Sequence, residues 1–175
     1  MTETTAEIFI VILNALGAGL LMFIAGVLQK IMNNMEAYEF KKFINTLDKT
    51  AMNDQFAVTV ATLPLIAVVC YFIFYGFNHW WFITGIIVWI IGSSMTKVIN
   101  LPIYKWLLNP KNNDPKEIKE KRHKLQSGNT LRAWTTLISI ILMTMQFSIL
   151  ATIITVVIFV IIAIPLTKFS RNYKL

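Results

Sequence analysis

Residues 55–96 read QFAVTVATLPLIAVVCYFIFYGFNHWWFITGIIVWIIGSSMT, and none of these 42 residues carries a charge. A helix needs about 20 apolar residues to cross the ~30 Å hydrocarbon core of a bilayer, so the stretch is long enough for two crossings. A turn from Gly76 to Trp80 divides it. Trp80 and Trp81 are typical of the membrane interface. The stretch therefore predicts two antiparallel membrane-spanning helices.

Two further stretches lack charged residues, residues 8–29 with 22 residues and residues 133–167 with 35. The chain as a whole is 56% hydrophobic and 14% charged, whereas a soluble domain carries about 25% charged residues. These numbers exclude a soluble globule. We expect an all-α integral membrane helical bundle that forms a single membrane domain over residues 1–175.

The positions of the basic residues orient the spans. We predict cytoplasmic segments at 29–55 and 99–130 and spans at about 8–28, 56–75, 81–98, 131–147 and 149–166. With five spans and the N-terminus outside, all 16 Lys and Arg residues are cytoplasmic, whereas four spans place the last three outside. Those three are Lys168, Arg171 and Lys174. The sequence favours five spans and leaves four open, because residues 145–148 contain no Gly or Pro to mark a turn.

The same orientation explains the net charge of +7. Cytoplasmic basic residues contact anionic membrane lipids, so we expect lipid contacts and no nucleic-acid partner. We therefore expect a multi-pass protein of the cell membrane.

Two cytoplasmic helices are predicted. Apolar residues at i, i+3, i+4 and i+7 make residues 40–47 amphipathic, with Phe40 and Ile44 on the apolar face. Such a helix lies on lipid or on the bundle, or acts as a lid over a pocket. A second helix begins at Asp114-Pro115 and carries a solvated basic run, which Ser127-Gly128 interrupts. In the first span we expect Ala15, Gly19 and Gly26 to allow a close helix approach.

Several chemistries are excluded by residue content. Cys70 is the only cysteine and His79 and His123 are the only histidines, so we expect no metal site and no bound cofactor. His79 is interpreted as an interfacial residue and His123 as solvated. Asn14 is expected to hydrogen-bond to Ser or Thr on a neighbouring helix.

Polar residues gather at the cytoplasmic ends of the predicted spans. Asn100 and Pro102 end the third span, and Asn129 and Arg132 share a face at the start of the fourth. Arg132 at this depth requires a partner, for which Asp54 is the candidate. The same ends carry three further amide side chains, Gln29, Asn33 and Asn53.

These residues also carry a resemblance. Asn100-Leu101-Pro102-Ile103-Tyr104 and Gly128-Asn129-Thr130-Leu131-Arg132 resemble motifs of a family of small integral membrane proteins, mostly of unknown function, that includes the anthrone oxygenases. Tyr104 stands where the family usually has a second Asn, and Gly128 where an aromatic residue is common. The resemblance implies a four-span core with the segment after residue 150 as an extension. It makes Asn100, Pro102, Asn129 and Arg132 the substrate-binding cluster.

The resemblance implies a cofactor-free oxygenase acting on an apolar or aromatic small molecule. Arg132 and Asn129 would stabilise an enolate oxygen, Trp106 or Trp134 would line the slot, and Asp54 and His123 are the nearby bases. No catalytic residue is assigned, and whether the protein is an enzyme stays open.

Three functions therefore compete, of which a transporter or channel ranks last because neither an internal repeat nor charged residues deep in the spans are evident. The first is a membrane protein with a small-molecule pocket at the cytoplasmic face. The second is a non-enzymatic membrane module that forms a homo-oligomer or supports a partner complex. A pocket predicts a ligand-sized cavity lined by Asn100, Asn129 and Arg132, whereas a module predicts that direct hydrogen bonds close the cluster.

Overall fold

The regular structure in residues 1–172, the part that the computed structural model describes, is entirely helical. Side chains are described for residues 1–163, 165 and 166. The all-helical structure confirms the predicted all-α fold. Three of the described helices are long and apolar enough to cross a membrane, as expected of a membrane protein. The six helices are α1 (Glu3–Asn33), α2 (Ala37–Asn53), α3 (Gln55–Tyr75), α4 (Trp80–Leu108), α5 (Pro115–Met145) and α6 (Ile149–Asn172), of which α1, α3 and α4 are the three.

Helices α1 and α4 each contain one π-helical turn, Ile24–Leu28 and Thr96–Asn100. In α4 the cause is Pro102, which lacks an N–H and whose ring would clash with the carbonyl four residues earlier. The turn widens so that the Leu101 N–H donates to the Thr96 carbonyl. Because the π turn accommodates the proline without ending the helix, α4 continues to Leu108, ten residues past the span end expected at residue 98.

Glycines bring α4 and α5 into close antiparallel contact. A Cβ on Gly85 would lie 2.7 Å from the Ser139 carbonyl oxygen, and one on Gly92 would overlap the Thr135 side chain. At the other end, a Cβ on Gly128 of α5 would overlap the Asn100 side chain of α4. Residue numbers rise along α4 as they fall along α5, so the two helices lie side by side from Gly85 to Asn100.

Helix α2 packs its apolar face onto the bundle. Phe40 and Ile44 are fully buried. They form one core cluster with Ile103 and Leu107 of α4 and Ile118 of α5. The sequence left open whether this helix lies on lipid, packs on the bundle or covers a pocket, and the structure shows it packed on the bundle.

Two basic residues are buried, among them Arg122 of the basic run that was expected to be solvated. Arg122 donates to the carbonyl oxygens of Met32 and Met35 at the end of α1, at 3.0 and 2.6 Å. Lys41 donates to the Asn109 and Asn112 carbonyls at 2.8 and 2.6 Å. A cation satisfies the free carbonyls at a helix C-terminus, so Arg122 joins α5 to α1.

Other expectations about helix breaks and packing are also resolved. Ser127-Gly128 does not interrupt α5; Gly128 instead lies in the close contact with α4. The long apolar stretch does divide, with α5 ending at Met145 and α6 beginning at Ile149. The close approach expected at Gly19 and Gly26 does not occur within the described part of this chain, where no neighbouring atom lies within 4 Å of a Cβ at either position. The side chains of Lys168, Arg171 and Lys174 lie outside the described residues.

Candidate functional site

Five amide side chains from three helices form a continuous hydrogen-bonded chain. Asn100 of α4 donates to Asn129 of α5 at 2.9 Å, and Asn129 donates to Gln29 of α1 at 3.2 Å. Gln29 then donates to Asn33 at 3.1 Å, and Asn33 donates to Gln126 of α5 at 3.1 Å. This amide network (Gln29, Asn33, Asn100, Gln126 and Asn129) joins α1, α4 and α5 just beyond the two π turns.

The centre of the network is closed to solvent. The exposed fraction is 0% for Asn100, 1% for Gln29 and 2% for Asn129. The Asn100 Oδ1 atom has no hydrogen-bond partner. It occupies the space that a Cβ on Gly128 would need, so Gly128 supplies the room in which the Asn100 amide packs.

The chemistry of this network is limited to hydrogen bonding. Amide groups stay neutral and offer only N–H donors and carbonyl acceptors. They can fix the distance and rotation of three helices, but they cannot take up a proton as a general base does.

Two of the predicted site residues lie outside the network. Pro102 is exposed and only shapes α4. Arg132 is half-buried, and its Nε atom is buried without a hydrogen-bond partner. The phenol of Tyr104 lies within electrostatic range of Arg132. The expected counter-charge Asp54 is exposed and caps α3 instead, accepting from the Ala57 N–H at 2.7 Å.

The other residues that the oxygenase hypothesis invoked are dispersed. His123 and Trp134 are exposed. Trp106 is partly buried, with the Lys121 ammonium 5.5 Å from its ring centroid. Among the described side chains, neither Asp54 nor His123 contacts the amide network as a base would have to.

Two grooves lie elsewhere on the described part of the chain. One, of about 550 Å³, lies between α2 and the segment after α4 and is lined by Lys42 and Lys49. The other, of about 460 Å³, is apolar and lies between α1 and α3 beside Cys70. Neither groove is lined by Asn100, Asn129 or Arg132.

A second polar cluster lies at the opposite end of the bundle. His79 Nδ1 lies 2.5 Å from Glu7 Oε1 and 3.7 Å from Glu3 Oε1. The Tyr71 hydroxyl is 3.0 Å from an oxygen of each Glu. The sequence did not predict this Glu–His cluster (Glu3, Glu7, Tyr71 and His79), in which the His79 side chain stays partly exposed. In the part of the chain with described side chains, Glu3, Glu7 and His79 are the group whose ligand atoms could hold a metal.

Asn14 does not bond to a neighbouring helix. Its Nδ2 atom donates to the Ile10 carbonyl of its own helix at 2.9 Å, and its Oδ1 atom is buried without a partner. The expectation of an interhelical Ser or Thr bond is therefore wrong.

The sequence did not reveal that Gln126 belongs to the amide network, that Gly128 makes room for Asn100, or that His79 pairs with Glu7. Gln126 lies one turn before Asn129, so helical spacing was the available signal. The Glu7–His79 contact joins residues 72 positions apart, and helix periodicity carries no signal for it.

Comparison of the chain with protein-family models, with curated proteins and with solved structures gave no match.

Proposed function

We propose that this chain is a multi-pass protein of the cell membrane with five crossings and its N-terminus outside. Three long apolar helices supply the first three crossings. Support for the fourth comes from the packing of α5 along α4 between Gly85 and Asn100, about 22 Å at the helical rise. The break before Ile149 then allows α6 to return as a fifth. The positive-inside tendency favours the same orientation.

Cysteine labelling tests this topology. In a Cys70→Ser background, Asn78→Cys in the α3–α4 turn should react with a membrane-impermeant maleimide in intact cells. Lys49→Cys on α2 should react only after permeabilisation; both positions are exposed. The reverse pattern contradicts the orientation, and a C-terminal tag accessible from outside contradicts the fifth crossing.

The proposed role is a non-enzymatic membrane module that forms a homo-oligomer or supports a partner complex. The observation that supports this proposal is the closed amide network. Its side chains hydrogen-bond directly to one another at the position where a ligand would bind. Hydrogen bonds between buried polar side chains restrict the relative movement of the helices that carry them. A rigid joint between three helices suits a scaffold.

The mass of the particle extracted with its native lipid tests this role. The chain has a mass of 20.0 kDa. We expect a multiple of this mass, or this chain together with a second protein. A monomer that carries one small molecule per chain contradicts the proposal.

One observation favours a second candidate, a small-molecule oxygenase like the anthrone oxygenases that the two motifs resemble. The Arg132 Nε–H is a buried donor without a partner, and enzymes aim such donors at a developing oxyanion. Arg132 and Asn129 would stabilise the enolate oxygen of an aromatic substrate beside Tyr104.

Turnover of an anthrone tests the second candidate. Under this candidate, purified protein converts the anthrone to a quinone with uptake of oxygen, and Arg132→Ala abolishes the conversion. Lys97→Ala, an exposed basic residue on α4, is the matched control and retains it. Under the module proposal, wild-type protein shows no turnover above the uncatalysed oxidation.

A further inference from the structure

The Glu–His cluster concentrates negative charge where the chain has little to balance it. Glu7 is 1% exposed, and a buried carboxylate requires a paired charge or several hydrogen bonds. Among the described residues, no Lys or Arg pairs with Glu3 or Glu7, and His79 is the only partner able to carry a positive charge. With His79 neutral, two carboxylates share the site.

The cluster also has the geometry of a metal-binding site. Glu3 and Glu7 are spaced i, i+4 and therefore share one face of α1, while His79 is contributed by the turn before α4. One nitrogen and two oxygen atoms lie within 4.8 Å of one another. Ligand atoms around a tetrahedral zinc ion lie about 3.4 Å apart at ordinary bond lengths. The separation of 3.7 Å between His79 Nδ1 and Glu3 Oε1 is close to that value.

Tyr71 occupies the position of an outer group that orients the ligands. Its hydroxyl lies 3.0 Å from Glu3 and from Glu7, and its ring packs against Phe82 with centroids 4.9 Å apart. Outer hydrogen bonds that fix ligating carboxylates are a regular part of metal sites. A metal ion would replace the hydrogen bond between Glu7 and His79, whose atoms lie 2.5 Å apart.

We propose that Glu3, Glu7 and His79 bind a divalent transition-metal ion of the zinc class, which fastens the start of α1 to the α3–α4 turn. An imidazole nitrogen with two carboxylates suits zinc and its neighbours, whereas calcium and magnesium take oxygen ligands. The site lies at the opposite end of the bundle from the amide network. The metal-site proposal is therefore independent of the proposed function and can be tested separately from it.

Zinc titration of the full chain tests the site. The protein is purified without a polyhistidine tag, stripped with a chelator, placed in lipid nanodiscs and titrated with Zn²⁺ by calorimetry. We expect one Zn²⁺ per chain, an increase in Tm and no comparable binding of Ca²⁺. With Co²⁺ as a spectroscopic probe, wild-type protein shows ligand-field absorption that His79→Gln changes or loses.

Variants separate ligands from bystanders. Glu7→Gln and the partly exposed His79→Gln should each weaken Zn²⁺ binding more than about 100-fold, since each removes a ligand. Tyr71→Phe should weaken it about 10- to 100-fold with stoichiometry retained, as loss of an outer partner does. His123→Gln, which removes an exposed histidine elsewhere, should leave binding unchanged. Folded wild-type protein that binds no Zn²⁺, or equal binding by wild type and His79→Gln, overturns the proposal.

Discussion

Replacing Gly128 with alanine tests the close contact on which the amide network depends. The added methyl group would occupy the space of the Asn100 Oδ1 atom and lie 2.9 Å from Ile99 Cγ2. Both neighbours belong to α4, so either Asn100 rotates away from Asn129 or the two helices separate. We expect Gly128→Ala to lower the free energy of unfolding.

The magnitude follows from three contributions. Overpacking a tight contact costs about 1–3 kcal/mol. Loss of the hydrogen bond between Asn100 and Asn129 costs about 1 kcal/mol more. Replacement of glycine by alanine inside a helix contributes about 1 kcal/mol in the opposite direction. The last two contributions cancel, which leaves a net destabilisation of about 1–3 kcal/mol.

Unfolding in mixed micelles, followed by circular dichroism, measures the effect. Gly19→Ala is the matched control, because the same substitution in α1 meets no atom within 4 Å. The control should leave stability unchanged or raise it by up to about 1 kcal/mol. If Gly128→Ala is as stable as Gly19→Ala, the proposed contact between α4 and α5 is refuted.

Three further predictions concern polar contacts at the end of the bundle that carries the amide network. Asn129→Ala leaves buried partners on α1 and α4 unpaired and should lower the free energy of unfolding by about 2–4 kcal/mol. The control Asn53→Ala, at an exposed position, should change it by less than about 0.5 kcal/mol. Equal losses of stability in the two variants would contradict the network. Arg122→Gln removes a buried cation from the last carbonyls of α1 and should cost about 2 kcal/mol in the same unfolding assay. Lys119→Gln, at an exposed position of the same basic run, should leave the free energy of unfolding unchanged. An equal loss of stability in both variants would show that Arg122 acts only as surface charge. The hydrogen bond and charge of Lys124 hold the pKa of the Glu120 carboxyl below its ordinary value, so Lys124→Gln should raise that pKa in an NMR titration, and an unchanged pKa would contradict the pairing.

The positions of the helices could be predicted from the sequence because lipid imposes a simple rule. Long stretches without charge mark the membrane helices, and the apolar spacing of Phe40 and Ile44 identified the buried face of α2. The division of the last apolar stretch before Ile149 was also expected, although its residues carry no turn signal. Each of these features depends on residues that are close in the sequence.

Features that depend on which helices are neighbours could not be predicted. Gly19 and Gly128 are equally small, but only Gly128 faces another helix, and spacing along one helix does not reveal its partner. Lys41 and Arg122 lie in runs of basic residues that suggest a solvated surface, whereas both are bonded to backbone carbonyls distant in sequence. The convergence of Asn100 and Asn129 was predicted from topology; its closure by Gly128 required the structure.

The central claim is that the amide network is a closed structural joint, and a search for a bound molecule tests it most directly. Wild-type protein and Arg132→Ala are extracted in native lipid, and small molecules other than lipid are identified by mass spectrometry. We predict that neither protein retains one in stoichiometric amount. An aromatic or apolar molecule held at one per chain by the wild type and lost from Arg132→Ala would contradict the account.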